Sequence, residues 1–430
     1  MAPGNADAIP SFARQTGMSC TACHTAYPEL TAFGRHFKVT GFVMSKSTKP
    51  YEWPPPLAAV AKVSFSHTEK SQPSGSVSDD WANLSDSSTN DFFYFPQILG
   101  VYYGGRIAYK FGAFVQGNYD GVADHFNLDI TDIRFANTTG DWTYGVSINN
   151  APTLEDLWNS TPAWGFPYEF SPVVPTPAAA PLINGALLEN QVGGISGYVL
   201  WNNSIYADVG VYRTNADGVT EFLGAGTDTD TVVDGAVPYW RLAVMQTWGK
   251  HSMEFGTYGL VADVFPDGFN SGPTDHFQDL ALDAQYQYIN GKHILSAAAS
   301  WIHENQDWDA SHPLGNTTNA SDELNTIKVN INYYYRLSIG TVGGSVGFFQ
   351  TTGDSDALLY SPDPVDGSRT GSPDSRGLTL EADFLYHERQ KLVLQYTLYD
   401  KFNGAHSNYD GSGRDASDNN TLFLLLRFMF

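Results

Sequence analysis

The chain has 430 residues, with 46 acidic against 23 basic side chains and a formal net charge of −23. That balance excludes a nucleic-acid partner, whose binding is dominated by Lys and Arg neutralising phosphates, and favours cationic partners. Only 16% of residues are charged, 14% are aromatic and 41 are Gly; with no run of about 18 apolar residues, a transmembrane helix is excluded and any membrane span must be built of closed strands.

In chain order, Ala6-Asp7-Ala8 has the small-x-small form of a leader's cleavage site, so a secretory leader is expected to be removed or trimmed there. The only two cysteines follow in Cys20-Thr21-Ala22-Cys23-His24, the C-x-x-C-H spacing of covalent c-type haem attachment. Two thiols one helical turn apart can form thioethers to the two vinyl groups of one porphyrin, and the adjacent imidazole of His24 is placed to ligate its iron. A zinc site would want further Cys or His ligands at regular spacing, and a thioredoxin-like site a βαβ context, neither of which the sequence supplies. Beyond the motif, Pro28 reads as the first residue of a helix whose Leu30, Phe33 and Phe37 recur on one face and can cover a haem edge. For the second axial position Met44 is a candidate, since a thioether would raise the haem potential, and His36 is its rival; Met245 also falls on a lumen-facing position, and His67 on a lipid-facing one.

The run Phe12-Ala13-Arg14-Gln15-Thr16-Gly17-Met18-Ser19-Cys20-Thr21-Ala22-Cys23-His24, with Pro28-Glu29-Leu30-Thr31-Ala32-Phe33-Gly34-Arg35, Phe37-Lys38 and Gly41-Phe42, resembles the monohaem cytochrome-porin fusions of iron-oxidising bacteria. The specific resemblance covers roughly the first 45 residues, and the rest matches as architecture. It implies an outer-membrane Fe(II):cytochrome c oxidoreductase with one covalent haem c, bound by Cys20, Cys23 and His24. Extracellular Fe(II) is then the donor and a soluble periplasmic cytochrome or other carrier the acceptor.

Residues 1–56 therefore read as a monohaem cytochrome c segment and 57–430 as an outer-membrane β-barrel, with Pro54-Pro55-Pro56 as a stiff hinge between them. From residue 57, apolar and polar residues alternate in runs of about ten bounded by turn residues. Strands are expected near 57–68, 91–103, 105–119, 126–137, 141–150, 191–201, 203–213, 238–248, 251–263, 276–289, 291–303, 324–335, 338–351, 377–388, 390–402 and 420–430. The fold class is thus all-β: an antiparallel transmembrane barrel of about 16 strands, with the small helical haem segment as its plug. In one run Leu280, Leu282, Ala284, Tyr286 and Tyr288 share a face opposite Asp279, Asp283, Gln285 and Gln287, as lipid outside and water inside would require.

Tight turns at Gly104-Gly105, Thr139-Gly140, Asn202-Asn203, Gly249-Lys250, Asn290-Gly291, Arg336-Leu337 and Glu388-Arg389 interleave with long polar loops, the longest at 151–190. Short turns belong on the periplasmic side and long loops outside. The outer loops carry Asp217, Glu221, Asp228, Asp230 and Asp234 in one and Asp354, Asp356, Asp363, Asp366 and Asp374 in another, which concentrates cations. Inside, Asp279, Asp283, Glu381 and Asp383 face Lys62, Arg106, Lys110, Lys328 and Arg427, and some of these bases are placed to hold haem propionates. The chain ends in Phe430, as outer-membrane proteins do. Besides inward electron transfer, a diffusion porin plugged by its cytochrome segment and outward extracellular electron transfer fit the same sequence.

Overall fold

The computed structural model describes residues 10–49, 53, 55–72, 89–161, 169–184, 188, 191–215 and 231–430. The expected leader site at Ala6-Asp7-Ala8, Pro54 of the hinge, and the loop acids Asp217, Glu221, Asp228 and Asp230 lie outside these residues.

The alternating runs form strands β1 (Leu57–Gln72), β2 (Thr89–Ala108), β3 (Phe111–Asp120), β4 (His125–Thr139), β5 (Trp142–Asn149), β6 (Val192–Trp201), β7 (Ile205–Thr214) and β8 (Val237–Trp248). They continue as β9 (His251–Val264), β10 (Asp275–Asn290), β11 (His293–Asp307), β12 (Ser321–Leu337), β13 (Gly340–Gly353), β14 (Ser375–Tyr386), β15 (Gln390–Lys401) and β16 (Thr421–Met429). Each pairs with its sequence neighbour, and β1 pairs antiparallel with β16, Val60 opposite Met429 through Thr68 opposite Thr421, so the 16-stranded sheet closes. Closure leaves no unpaired edge, which a strand structure in lipid requires.

The period-2 pattern sets what faces where. On β10, Asp279, Asp283, Gln285 and Gln287 are buried toward the lumen while Leu280 and Leu282 are exposed outward. Phe93, Phe95, Val101, Val209 and Leu392 are likewise exposed on the outer surface. Such an apolar outer face is the reverse of a soluble β-sandwich, where outward positions are polar.

Several turns differ from expectation. Gly104-Gly105 is not a turn: β2 runs on to Ala108 and reverses at Tyr109-Lys110. Gly105 is there for space, because a Cβ would lie 2.5 Å from Pro56 Cγ and 2.7 Å from Gln15 Oε1 of the N-terminal segment packed on it. Three turns fall one or two residues later than expected, at Gly140-Asp141, Gly291-Lys292 and Ser338-Ile339. At Asn202-Asn203 both residues have φ +51°, the left-handed conformation of a tight hairpin. The β3–β4 connection spans only 121–124 and departs from the alternation of lengths.

The largest correction concerns the connection between β5 and β6. Expected as a long polar loop outside, it folds into the barrel, with Leu154, Trp158 and Leu182 buried. Its acids meet wall cations: Glu155 lies 3.1 Å from Arg134 on β4, Asp156 3.3 Å from Arg241 on β8, and Glu169 2.9 Å from Arg427 on β16 and 3.3 Å from Lys62 on β1. Its backbone amides of Leu182 and Ile183 donate to Glu304 and Asp279 at 2.5 and 2.6 Å.

Beneath this loop sits the N-terminal plug of three short helices: α1 (Pro10–Thr16), α2 (Cys20–Cys23) and α3 (Ala32–Val39). Pro28 does not begin α3. The amides ahead of the helix are already committed, Leu30 N to Trp158 O and Thr31 N to Cys23 O, so the first turn forms only after Thr31. Thr31 then caps it, its hydroxyl accepting from Gly34 N at 3.2 Å, a contribution of about 1 kcal/mol.

Candidate functional site

Local helix geometry presents Cys20 and Cys23 one turn apart on α2, with His24 as its C-cap. All three line a single cavity that is partly open to solvent. The rest of the lining is largely apolar: Phe12 and Ala13 from α1, Leu30, Gly34 and Phe37 around α3, Phe42 beyond it, and Phe114 from β3. Asp132 of β4 and Asn159 of the β5–β6 loop complete it, so the barrel wall and the inserted loop both contribute to a pocket the plug could not close alone.

The plug is held at the short-turn end by groups distant in sequence. Glu388, in the β14–β15 turn, accepts from Cys20 N at 2.9 Å and from Thr21 Oγ1 at 3.0 Å, placing a carboxylate at the start of α2. Arg336 at the end of β12 donates to Thr21 O at 3.0 Å. Thr31 Oγ1 donates to Ala22 O at 2.6 Å, and α3 packs on α2 closely enough that a Cβ on Gly34 would lie 2.3 Å from Cys23 O. Deeper in, the buried Glu29 carboxylate receives Thr25 and Ser296 hydroxyls at 2.7 Å each and Asn332 Nδ2 at 3.0 Å. Arg35 donates to Gln287 at 3.0 Å and stacks 3.5 Å above the Trp158 ring, while Lys38 donates to Asp156 O and Asn159 Oδ1 at 2.6 and 2.8 Å. Plug and loop therefore form one packed unit.

This donor set fits a covalently bound haem c. Both cysteines are free and half-buried, and their thiols face the same cavity as the imidazole. Burial lowers the His24 pKa to about 4, partly offset by the backbone of Pro28 and Glu29, so the ring is neutral at pH 7, the form a metal requires. Its Nδ1 is buried with no well-aligned hydrogen bond among the described residues. Burial, then repulsion from Cys20, pushes the Cys23 thiol up to about 12, and burial also raises Cys20.

The other residues singled out from the sequence are not gathered here. Met44 is half-buried against the apolar cluster that also takes Phe12 and Cys20, and is outside the cavity lining. His36 is exposed on α3, Met245 points inward among Val39, Trp158 and Tyr206, and His67 points outward to Asp91. The thioether that does line the cavity is Met18, which sequence reasoning passed over although it lies two residues before Cys20. Of the lumen bases, Lys62 and Arg427 are engaged by Glu169, Lys328 reaches Asn184 at 3.3 Å, and Lys110 sits in a turn against Asn137 and not on the lumen wall.

Among the described residues no group of three or more His, Cys, Asp or Glu is able to hold a cation, so the described loop acids do not converge on one. Asp356 accepts the amides of Thr318, Asn319, Leu358 and Leu359, which outweigh burial and lower its pKa, and Asp374 pairs with Lys401 at 2.7 Å.

No family model and no curated protein matches the chain. Among solved structures it is similar to outer-membrane expressed OmpT of Vibrio cholerae, at 8% identity over 87% of this chain and 97% of that one, with a TM-score of 0.47. It is also similar to Salmonella typhi OmpF in complex with daunomycin (10% identity, 87% and 97% coverage, TM-score 0.48) and to an anion-selective porin from Comamonas acidovorans (13%, 87% and 98%, 0.45).

Proposed function

We propose that this chain is an outer-membrane electron conduit that carries one haem c on Cys20 and Cys23 with His24 as proximal ligand. One observation carries the reading: the single C-x-x-C-H brings both thiols and the imidazole to one largely apolar cavity inside a closed barrel. The apolar outer faces of the strands support a lipid environment. Where bound, a haem c supplies a one-electron centre alternating between ferric and ferrous states. The chain's own part is to insulate and position: Phe12, Phe37, Phe42 and Phe114 exclude water, while Glu388 and Arg336 fix α2 at the short-turn mouth. The resemblance of the first 45 or so residues supplies the direction, in which extracellular Fe(II) gives up one electron, becomes Fe(III), and the electron leaves to a soluble periplasmic carrier.

The test is haem retention. Purified protein should keep one haem per chain through acid-acetone extraction and lose it in Cys20→Ala/Cys23→Ala; haem that extracts from the unaltered protein overturns the reading. A plugged diffusion porin is the second reading, favoured by the barrel architecture, and outward electron transfer the third. Bilayer conductance separates the porin from the others: the conduit stays closed, because the loop and plug are tied to β1, β4, β8, β10, β11, β12 and β16.

A further inference from the structure

The chain carries a net charge of −23, yet its short-turn end is basic. Four of the seven short turns bear Lys or Arg, at Lys110, Lys250, Lys292 and Arg389. On the plug, among the described residues, the one acid is Glu29, buried against β11 and β12, so its exposed charges are all positive: Arg14, Lys46 and Lys49. Against these stand the exposed Asp141 and the half-buried Glu388, the latter occupied with Cys20 and Thr21. The opposite end exposes Asp267, Asp309, Asp354 and Asp363. The molecule is thus polarised along the barrel axis.

The basic patch reaches the cavity's edge through Lys46. Lys46 lies over Gly17, where an added Cβ would meet its Cδ at 3.4 Å, and the next residue, Met18, is 43% exposed while also lining the cavity. A small apolar spot beside like charge suits a transient electron-transfer complex, since electrostatics steers the encounter and a small contact suffices. Anionic lipid headgroups are the competing occupant. Lys250 and Lys292 stand on the barrel rim, Lys292 5.9 Å from the Tyr335 ring, where headgroups can reach them. Arg14, Lys46 and Lys49 belong to the plug, whose Gln15 packs against Gly105 on the inner wall, and favour a soluble partner.

We infer that the short-turn face is the docking surface for a soluble electron-carrier protein with an acidic surface, seated over Met18 and held by Arg14, Lys46 and Lys49. This rests on the electron-conduit reading, and binding and electron transfer are therefore measured apart. The probes are native lysine-rich cytochrome c and the same cytochrome with its lysines succinylated, which reverses its charge and keeps its haem. Full-length holoprotein in phosphatidylcholine nanodiscs should bind the succinylated form, more weakly as salt rises, and ignore the native one. Lys46→Glu/Lys49→Glu should weaken that binding roughly tenfold or more and slow electron transfer in proportion, while Arg369→Glu on the long-loop end leaves both unchanged. Equal binding of both cytochromes, indifference to Lys46→Glu/Lys49→Glu, or loss of binding when phosphatidylglycerol is added to the disc overturns the inference. Charge-dependent binding without electron transfer would instead leave the docking surface standing and remove the conduit.

Discussion

Glu388 stands 368 residues from Cys20, in a turn with no motif of its own, yet its carboxylate receives the first amide of α2 and the Thr21 hydroxyl. A negative charge beside a haem favours the ferric state, so Glu388→Gln should raise the reduction potential by roughly tens of millivolts, read by redox titration. An unchanged potential would mean that the carboxylate does not sense the centre. Gly34→Ala should cut haem incorporation sharply, because its Cβ would fall 2.3 Å from Cys23 O and separate α2 from α3. Gly197→Ala, which meets nothing within 4 Å, is the matched control. The lining also distinguishes two thioethers: Met18→Leu should alter the reduced absorption spectrum, and Met44→Leu, outside the lining, should not. At this scale Cys20, Cys23 and His24 were legible because covalent haem attachment needs them adjacent in sequence. Glu388, Arg336 and Phe114 were not, since only barrel register brings them to the plug.

The strands were legible for a different reason. Lipid outside and a packed lumen inside impose a period of two whose outward face is apolar, the reverse of a soluble sheet. The β5–β6 connection was not, because its prolines and acids read as a surface loop. The overlooked signal was its apolar content, Leu154, Leu157, Trp158, Leu182 and Ile183, too rich for a segment left in water. Its acids are latches. Burial alone would raise the Glu169 pKa, but Lys62, Arg427 and Lys391 outweigh it and hold the carboxyl below the ordinary range. A depressed carboxylate stabilises the fold above its unfolded pKa, about 4.3 for Glu, and that stabilisation is lost as pH falls through the folded value. Bilayer conductance should therefore stay low from neutral pH down to about that value and rise only in stronger acid. Glu169→Gln should destabilise the latch by on the order of 3 kcal/mol, through uncompensated buried cations, and raise conductance at neutral pH. Conductance that is high at neutral pH in the unaltered protein, or insensitive to Glu169→Gln, would contradict the latch.

As a whole molecule, the closed barrel surrounds the cavity at Cys20, Cys23 and His24, with acids at the long-loop end, bases at the short-turn end and a plug fused to an inserted loop between them. The proposed conduit gives this arrangement its use: a filled lumen hinders solutes, and a haem bound at the cavity would carry charge instead. The most direct test encloses an electron acceptor, succinylated cytochrome c, in proteoliposomes bearing the holoprotein with its long loops outward, and supplies Fe(II) outside only. The enclosed cytochrome should be reduced while iron stays outside, and Cys20→Ala/Cys23→Ala should abolish the reduction. No reduction with the intact protein, or reduction that survives loss of both cysteines, would contradict the conduit.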